Sequence, residues 1–87
     1  MKLECEILTE DYSNTPAYRV FVNGELMTER DYVVPPGEVG HYNFMCYLTL
    51  PGGENKLEIQ GIGHKFNIGT MWLDDKQIAH NQGVFQI

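Results

Sequence analysis

The stretch Tyr18-Arg19-Val20-Phe21-Val22-Asn23-Gly24-Glu25-Leu26-Met27 decides the fold. Two runs of strand-forming residues meet at Asn23-Gly24, the strongest short hairpin signal. A type I′ turn holds both central residues at positive φ, which Asn tolerates and Gly adopts freely. The segment therefore reads as an antiparallel hairpin, with Tyr18, Val20 and Val22 on one face and Arg19 and Phe21 on the other.

The same period of two extends to both sides. Leu3, Cys5 and Ile7 alternate with Lys2, Glu4 and Glu6, as in a half-buried strand. Thr28-Glu29-Arg30-Asp31 is polar on both faces, which fits an edge strand or a bend leaving the core. Pro35-Pro36-Gly37 marks a turn region over 34–40. The longest pattern is His41 to Leu50, with Tyr42, Phe44, Cys46, Leu48 and Leu50 on one face and His41, Asn43, Met45, Tyr47 and Thr49 on the other. It reads as a central strand of a sandwich. Beyond the Pro51-Gly52-Gly53 turn, Leu57 and Ile59 face inward and Lys56, Glu58 and Gln60 outward. In the strand from Phe66 to Leu73, Ile68, Thr70 and Trp72 fall on one side and Met71 and Leu73 on the other. Asp74-Asp75 turns into Lys76–Ala79, and Val84–Ile87 forms a last strand after Asn81-Gln82-Gly83. These make about seven or eight short strands, separated by frequent turn signals. The expected fold is all-β: one antiparallel two-sheet β-sandwich of jelly-roll type, a single domain over residues 1–87.

Composition limits what such a chain does. With 87 residues the core is thin, and there is no room for a second domain around a deep active site. Twelve acidic residues against six Lys and Arg give a formal charge of −6. That sign repels phosphate backbones and argues against nucleic acid. Glu4 and Glu6 interrupt any apolar run at the start, so no signal peptide is read there, and no stretch reaches the roughly 20 apolar residues of a membrane span. The expected location is cytoplasmic or virion-associated, with Cys5 and Cys46 as thiols.

Three segments carry a family resemblance. Val20-Phe21-Val22-Asn23-Gly24-Glu25-Leu26 resembles the hairpin of jelly-roll domains in the carbohydrate-binding-module and galactose-binding-like group. His41–Leu50 followed by Pro51-Gly52-Gly53-Glu54-Asn55-Lys56-Leu57-Glu58-Ile59 is similar to their long strand, turn and return strand. Tyr18–Leu26 and Thr28-Glu29-Arg30 also look like small proteins of tailed marine phages. The resemblance implies a jelly-roll sandwich, and more distantly sugar binding or a phage component.

The side chains suited to a sugar are aromatic. Trp and Tyr faces stack against the C–H faces of sugar rings while polar neighbours bond the hydroxyls. Tyr47, Asn43 and His41 form a row on the mixed face of their strand, a candidate platform; the same row also suits a surface covered by another strand or subunit. Trp72 is the fourth candidate and reads equally as a core residue. Asp74-Asp75 and Glu10-Asp11 lack the spacing of a calcium loop. His41, His64 and His80 lack zinc spacing, and Cys5 and Cys46 lie on apolar faces that disfavour a nucleophile. Gly61-Ile62-Gly63 precedes no helix, so no phosphate cradle is expected. No catalytic residue, metal or cofactor is assigned. The reading is a non-catalytic binding module with a glycan partner. The alternative is a structural or interaction protein working through a protein partner or a homo-oligomer.

Overall fold

The computed structural model describes residues 1–9, 16–32, 42–63 and 65–87, and for Tyr42 the backbone only. The 34–40 turn, the Glu10-Asp11 loop, His41 and His64 lie outside the described residues. Eight strands are present: β1 (Lys2–Leu8), β2 (Ala17–Val22), β3 (Glu25–Asp31), β4 (Tyr42–Tyr47), β5 (Glu54–Ile62), β6 (Asn67–Leu73), β7 (Lys76–Ile78) and β8 (Val84–Gln86). They form two antiparallel four-stranded sheets, ordered β4-β1-β6-β7 and β3-β2-β5-β8. The protein is an all-β two-sheet sandwich.

Alternation builds the core. Leu3, Cys5, Ile7 and Phe44 from the first sheet meet Tyr18, Val20, Val22 and Leu57 from the second. Each buried aliphatic side chain contributes about 1.5–3 kcal/mol. One end is filled by Tyr18, Tyr32 and Phe66, whose ring centroids lie 5.5–6.2 Å apart. Tyr32 is fully buried, and its hydroxyl donates to Ile7 O at 3.2 Å, satisfying the polar end.

The Asn23-Gly24 turn has φ values of 50° and 82°, with Val22 opposite Glu25. Asn23 does more than turn the chain. Its Nδ2 donates to Asn55 Oδ1 at 2.9 Å, and its Oδ1 accepts Lys56 N–H at 2.9 Å. Asn55 is only 1% exposed and donates to Pro51 O and Gly53 O. The two amides bind the hairpin to the turn that starts β5, and the polar interior of that turn is fully bonded.

Two expectations need correcting. His41–Leu50 was expected to lie centrally, but β4 stands at a sheet margin, bonded to β1 alone among the described residues. One deeply buried face is enough to produce its apolar pattern, and an edge strand of a sandwich has one. The second correction is in β6. Cys5 sits opposite Met71 but Ile7 sits opposite Ile68, so a bulge at Gly69-Thr70 shifts the register. Ile68 therefore joins Met71 and Leu73 against the core, and strict alternation fails there. Gly69 leaves room for Glu6, whose Cβ lies 3.0 Å from where a Cβ on Gly69 would stand. Glu6 Oε1 accepts the Thr70 N–H at 3.0 Å, capping the bulge.

Gly83 holds the last corner. Its φ is +89°, and a Cβ there would fall 2.0 Å from Leu57 O. Gly24 also has positive φ but has open space around it. Gly83→Ala is expected to destabilise the protein by about 3 kcal/mol or more, because strain and a backbone collision act together. Gly24→Ala is expected to cost only about 1–2 kcal/mol from φ alone. Urea denaturation of both variants measures the difference.

Candidate functional site

The parity that sends Leu3, Cys5 and Ile7 inward sends Lys2, Glu4 and Glu6 out. On β4 it exposes Asn43, Met45 and Tyr47; Met45 is 51% and Tyr47 73% exposed. Pairing then aligns a row across all four strands of the first sheet. Met45 lies opposite Glu4, Glu4 opposite Trp72, and Trp72 opposite Gln77. Tyr47 lies opposite Lys2, one row along, and Asn43 opposite Glu6. Of the four candidate residues, Tyr47, Asn43 and Trp72 thus share the outer face of one sheet. His41 lies outside the described residues. Trp72 is partly buried among its outer-face neighbours and is not a core residue; Met71 takes the inward position beside it.

Hydrogen bonds hold the polar members. Asn43 Nδ2 donates to Glu4 Oε2 at 3.1 Å, a diagonal link between β4 and β1. Lys2 Nζ contacts Asp75 Oδ1 at 2.5 Å, and the Lys2 N–H donates to Asp74 Oδ1. The bond to Asp75 raises the Lys2 ammonium above its ordinary value. The two aspartates of the β6–β7 turn are thus occupied in docking that turn onto β1. Among the described residues no three His, Cys, Asp or Glu side chains are grouped to hold a metal.

The face has a definite chemistry. Adjacent strands are about 4.8 Å apart, so Met45 and Trp72 stand about 10 Å apart with Glu4 between them. Apolar and aromatic surfaces alternate with a carboxylate and two amides, Asn43 and Gln77. Such a surface stacks on C–H faces and bonds hydroxyls. Glu4, Met45 and Gln77 were not singled out from the sequence. Alternation alone gave their outward direction, but joining them to Trp72 required the register between strands.

Other reactive groups are committed elsewhere. His80 Nε2 lies 2.6 Å from Gly69 O, and its Nδ1 accepts the Gly83 N–H at 3.1 Å. Cys5 and Cys46 are free thiols on diagonal positions of β1 and β4. Burial pushes the Cys5 thiol up to about 12 and also raises Cys46. Two clefts open along the sides of the sandwich. One of about 490 Å³ lies between β5 and β6, and one of about 350 Å³ lies between β3 and β4.

No protein family, curated relative or solved structure matches this chain.

The thiolate is the reactive form, so a thiol held near 12 carries almost none of it at pH 8. Cys5 is expected to resist Ellman's reagent in the native protein, and Cys46 to react more slowly than a free thiol. Both should react at once in denaturant. Raising the pH from 7 to 9 should speed Cys46 well before Cys5; mass spectrometry of the labelled protein separates the two.

Proposed function

We propose that this chain is a non-catalytic binding module and that the outer face of the β4-β1-β6-β7 sheet takes a glycan. One observation carries the reading: Tyr47, Trp72 and Met45 share a sheet face that no described strand covers, with Asn43, Glu4 and Gln77 interleaved. Met45 and Trp72, about 10 Å apart with Glu4 between them, offer two separate stacking surfaces in one row. The resemblance of residues 18–60 to carbohydrate-binding jelly rolls points the same way. The commitment of both His80 ring nitrogens and the protection of Cys5 support a role without catalysis.

A second reading draws on the same face. Met45 and Tyr47 are exposed neighbours on an edge strand, and an edge is where a second chain extends a sheet. This reading makes the chain an interaction protein, acting as a homo-oligomer or on a protein partner, and suits a phage component.

A glycan array followed by titration of the single tryptophan's fluorescence tests the first reading. Binding is expected to perturb Trp72, to need no calcium, and to weaken at least tenfold in Tyr47→Ala, equivalent to about 1.4 kcal/mol. Tyr47→Ala should leave the urea midpoint almost unchanged, since the side chain buries little. Absence of any glycan binding, with dimers in analytical ultracentrifugation that Tyr47→Ala dissociates, would replace the first reading by the second. A strict monomer that binds no glycan would overturn the first reading and the homo-oligomer form of the second.

A further inference from the structure

We propose that the cleft between β5 and β6 is a second binding site, for a hydroxylated ring that bears a carboxylate or a phosphate. It is separate from the outer face and independent of what binds there.

The cleft exists because two strands stop early. β8 pairs only with Glu54–Lys56 of β5, after which Gly83 O accepts the Leu57 N–H at 2.9 Å. The chain then leaves for β7. Antiparallel pairing repeats every two residues. Leu57 directs its N–H away from β2, whereas Lys56 turns its backbone groups toward Asn23 on the β2 side. Ile59 and Gly61 therefore direct their N–H and C=O groups to the open side of β5, with no strand pairing there among the described residues. On the first sheet β7 pairs only with Met71–Leu73, which leaves Asn67 and Ile68 along the facing wall.

Lys65 and Phe66 also line the cleft, as do His80 and Gln82. The Gly83 N–H needs an acceptor at His80 Nδ1, so the ring proton sits on Nε2 and is donated to Gly69 O. That ring joins β6 to the loop before β8 and fixes the wall in place. The result is a cleft of about 490 Å³, within the range of small-molecule sites.

The lining selects the ligand. Ile59, Phe66 and Ile68 offer an apolar floor for the C–H face of a ring. The N–H group of Ile59 suits an anionic oxygen, and its carbonyl suits a hydroxyl donor. Charge gives the sign. The chain has only six Lys and Arg against twelve acidic residues, and two of the six, Lys56 and Lys65, line this cleft. Lys2 and Arg19 are engaged by Asp75 and Glu29, whereas Lys56 and Lys65 form no ion pair among the described residues. Glu58 is the one carboxylate among the described lining residues, against Lys56 and Lys65, so those residues carry net positive charge on an acidic protein. Such a local reversal of sign draws a small anion and excludes a cation.

Amide chemical shifts of the full-length ¹⁵N-labelled protein, titrated at constant ionic strength, test this. The probes are glucuronate, glucose 6-phosphate, glucose and inorganic phosphate. Saturable shifts are expected at Ile59, Gly61, Asn67 and Gly83 with glucuronate or glucose 6-phosphate, and whichever binds more tightly identifies the anionic group. Glucose and inorganic phosphate should each bind at least tenfold more weakly. The double variant Lys56→Met/Lys65→Met should lose at least tenfold in affinity while keeping the remaining spectrum; the charge-matched control Lys76→Met should lose nothing. Shifts that never saturate, that glucose or phosphate alone reproduces, or that survive the double substitution would overturn the proposal.

Discussion

The contact of two apolar faces, one from each sheet, governs this structure. Leu3, Cys5 and Ile7 on β1 meet Val20 and Leu57 from β2 and β5 with no exposed surface left on any of them. In a chain of 87 residues this thin layer supplies most of the favourable burial, and conformational entropy consumes nearly all of it. Strand side chains alternate, so filling the inner layer also determines what faces out. Glu4 and Trp72 lie outside because Leu3, Cys5 and Met71 lie inside. The candidate binding face is the reverse side of the core.

A thin core leaves the ends of the sandwich to polar groups. The Asn55, Tyr32 and His80 ties satisfy buried or half-buried hydrogen-bonding groups that would otherwise weigh against folding, while the Lys2 tie is exposed. Asn23 and Asn55 connect the first hairpin to β5. Lys2 holds the β6–β7 turn by its backbone and its ammonium. His80 joins β6 to the segment before β8. Tyr32 crosses from the chain after β3 to the β1 backbone. These ties connect elements distant in sequence and hold the short strands β7 and β8 in place. Pairing of three residues each would hold them poorly.

Local information made much of this legible. Asn23-Gly24, Asp74-Asp75 and Gln82-Gly83 all take positive φ, and each was recognisable from its own residues. The inward sets on β1, β2 and β5 followed from alternation. What remained hidden depends on neighbours far along the chain. The bulge opposite Glu6 is a property of the β1–β6 pair; Gly69 inside the strand is its one local sign, and the shift itself depends on the partner strand. The marginal place of β4 was hidden because burial of one face looks alike in a central and an edge strand. Trp72 is ambiguous for the related reason that a large aromatic suits either side of a sheet. Tyr47, Asn43 and Trp72 were each visible singly, but their meeting on one face depends on register. The importance of Asn55 was concealed in a segment that read as an ordinary turn.

The two candidate surfaces follow from different features of the chain. The outer face depends on register: a slip of one residue between β1 and β4 would turn Tyr47 and Met45 inward and dismantle the row. The lateral cleft depends on strand length: three more paired residues on β8, opposite Leu57 to Ile59, would cover Ile59 and narrow it. Length is the easier feature to alter without damaging the core, since Glu58–Ile62 carries its interior contacts through Ile59. Open edges invite aggregation, and a small sandwich limits that risk with charge and with glycine. Here Glu58 and Lys65 do so, and both line the opening. Protection of an edge and recognition of a small charged ring thus draw on one set of side chains.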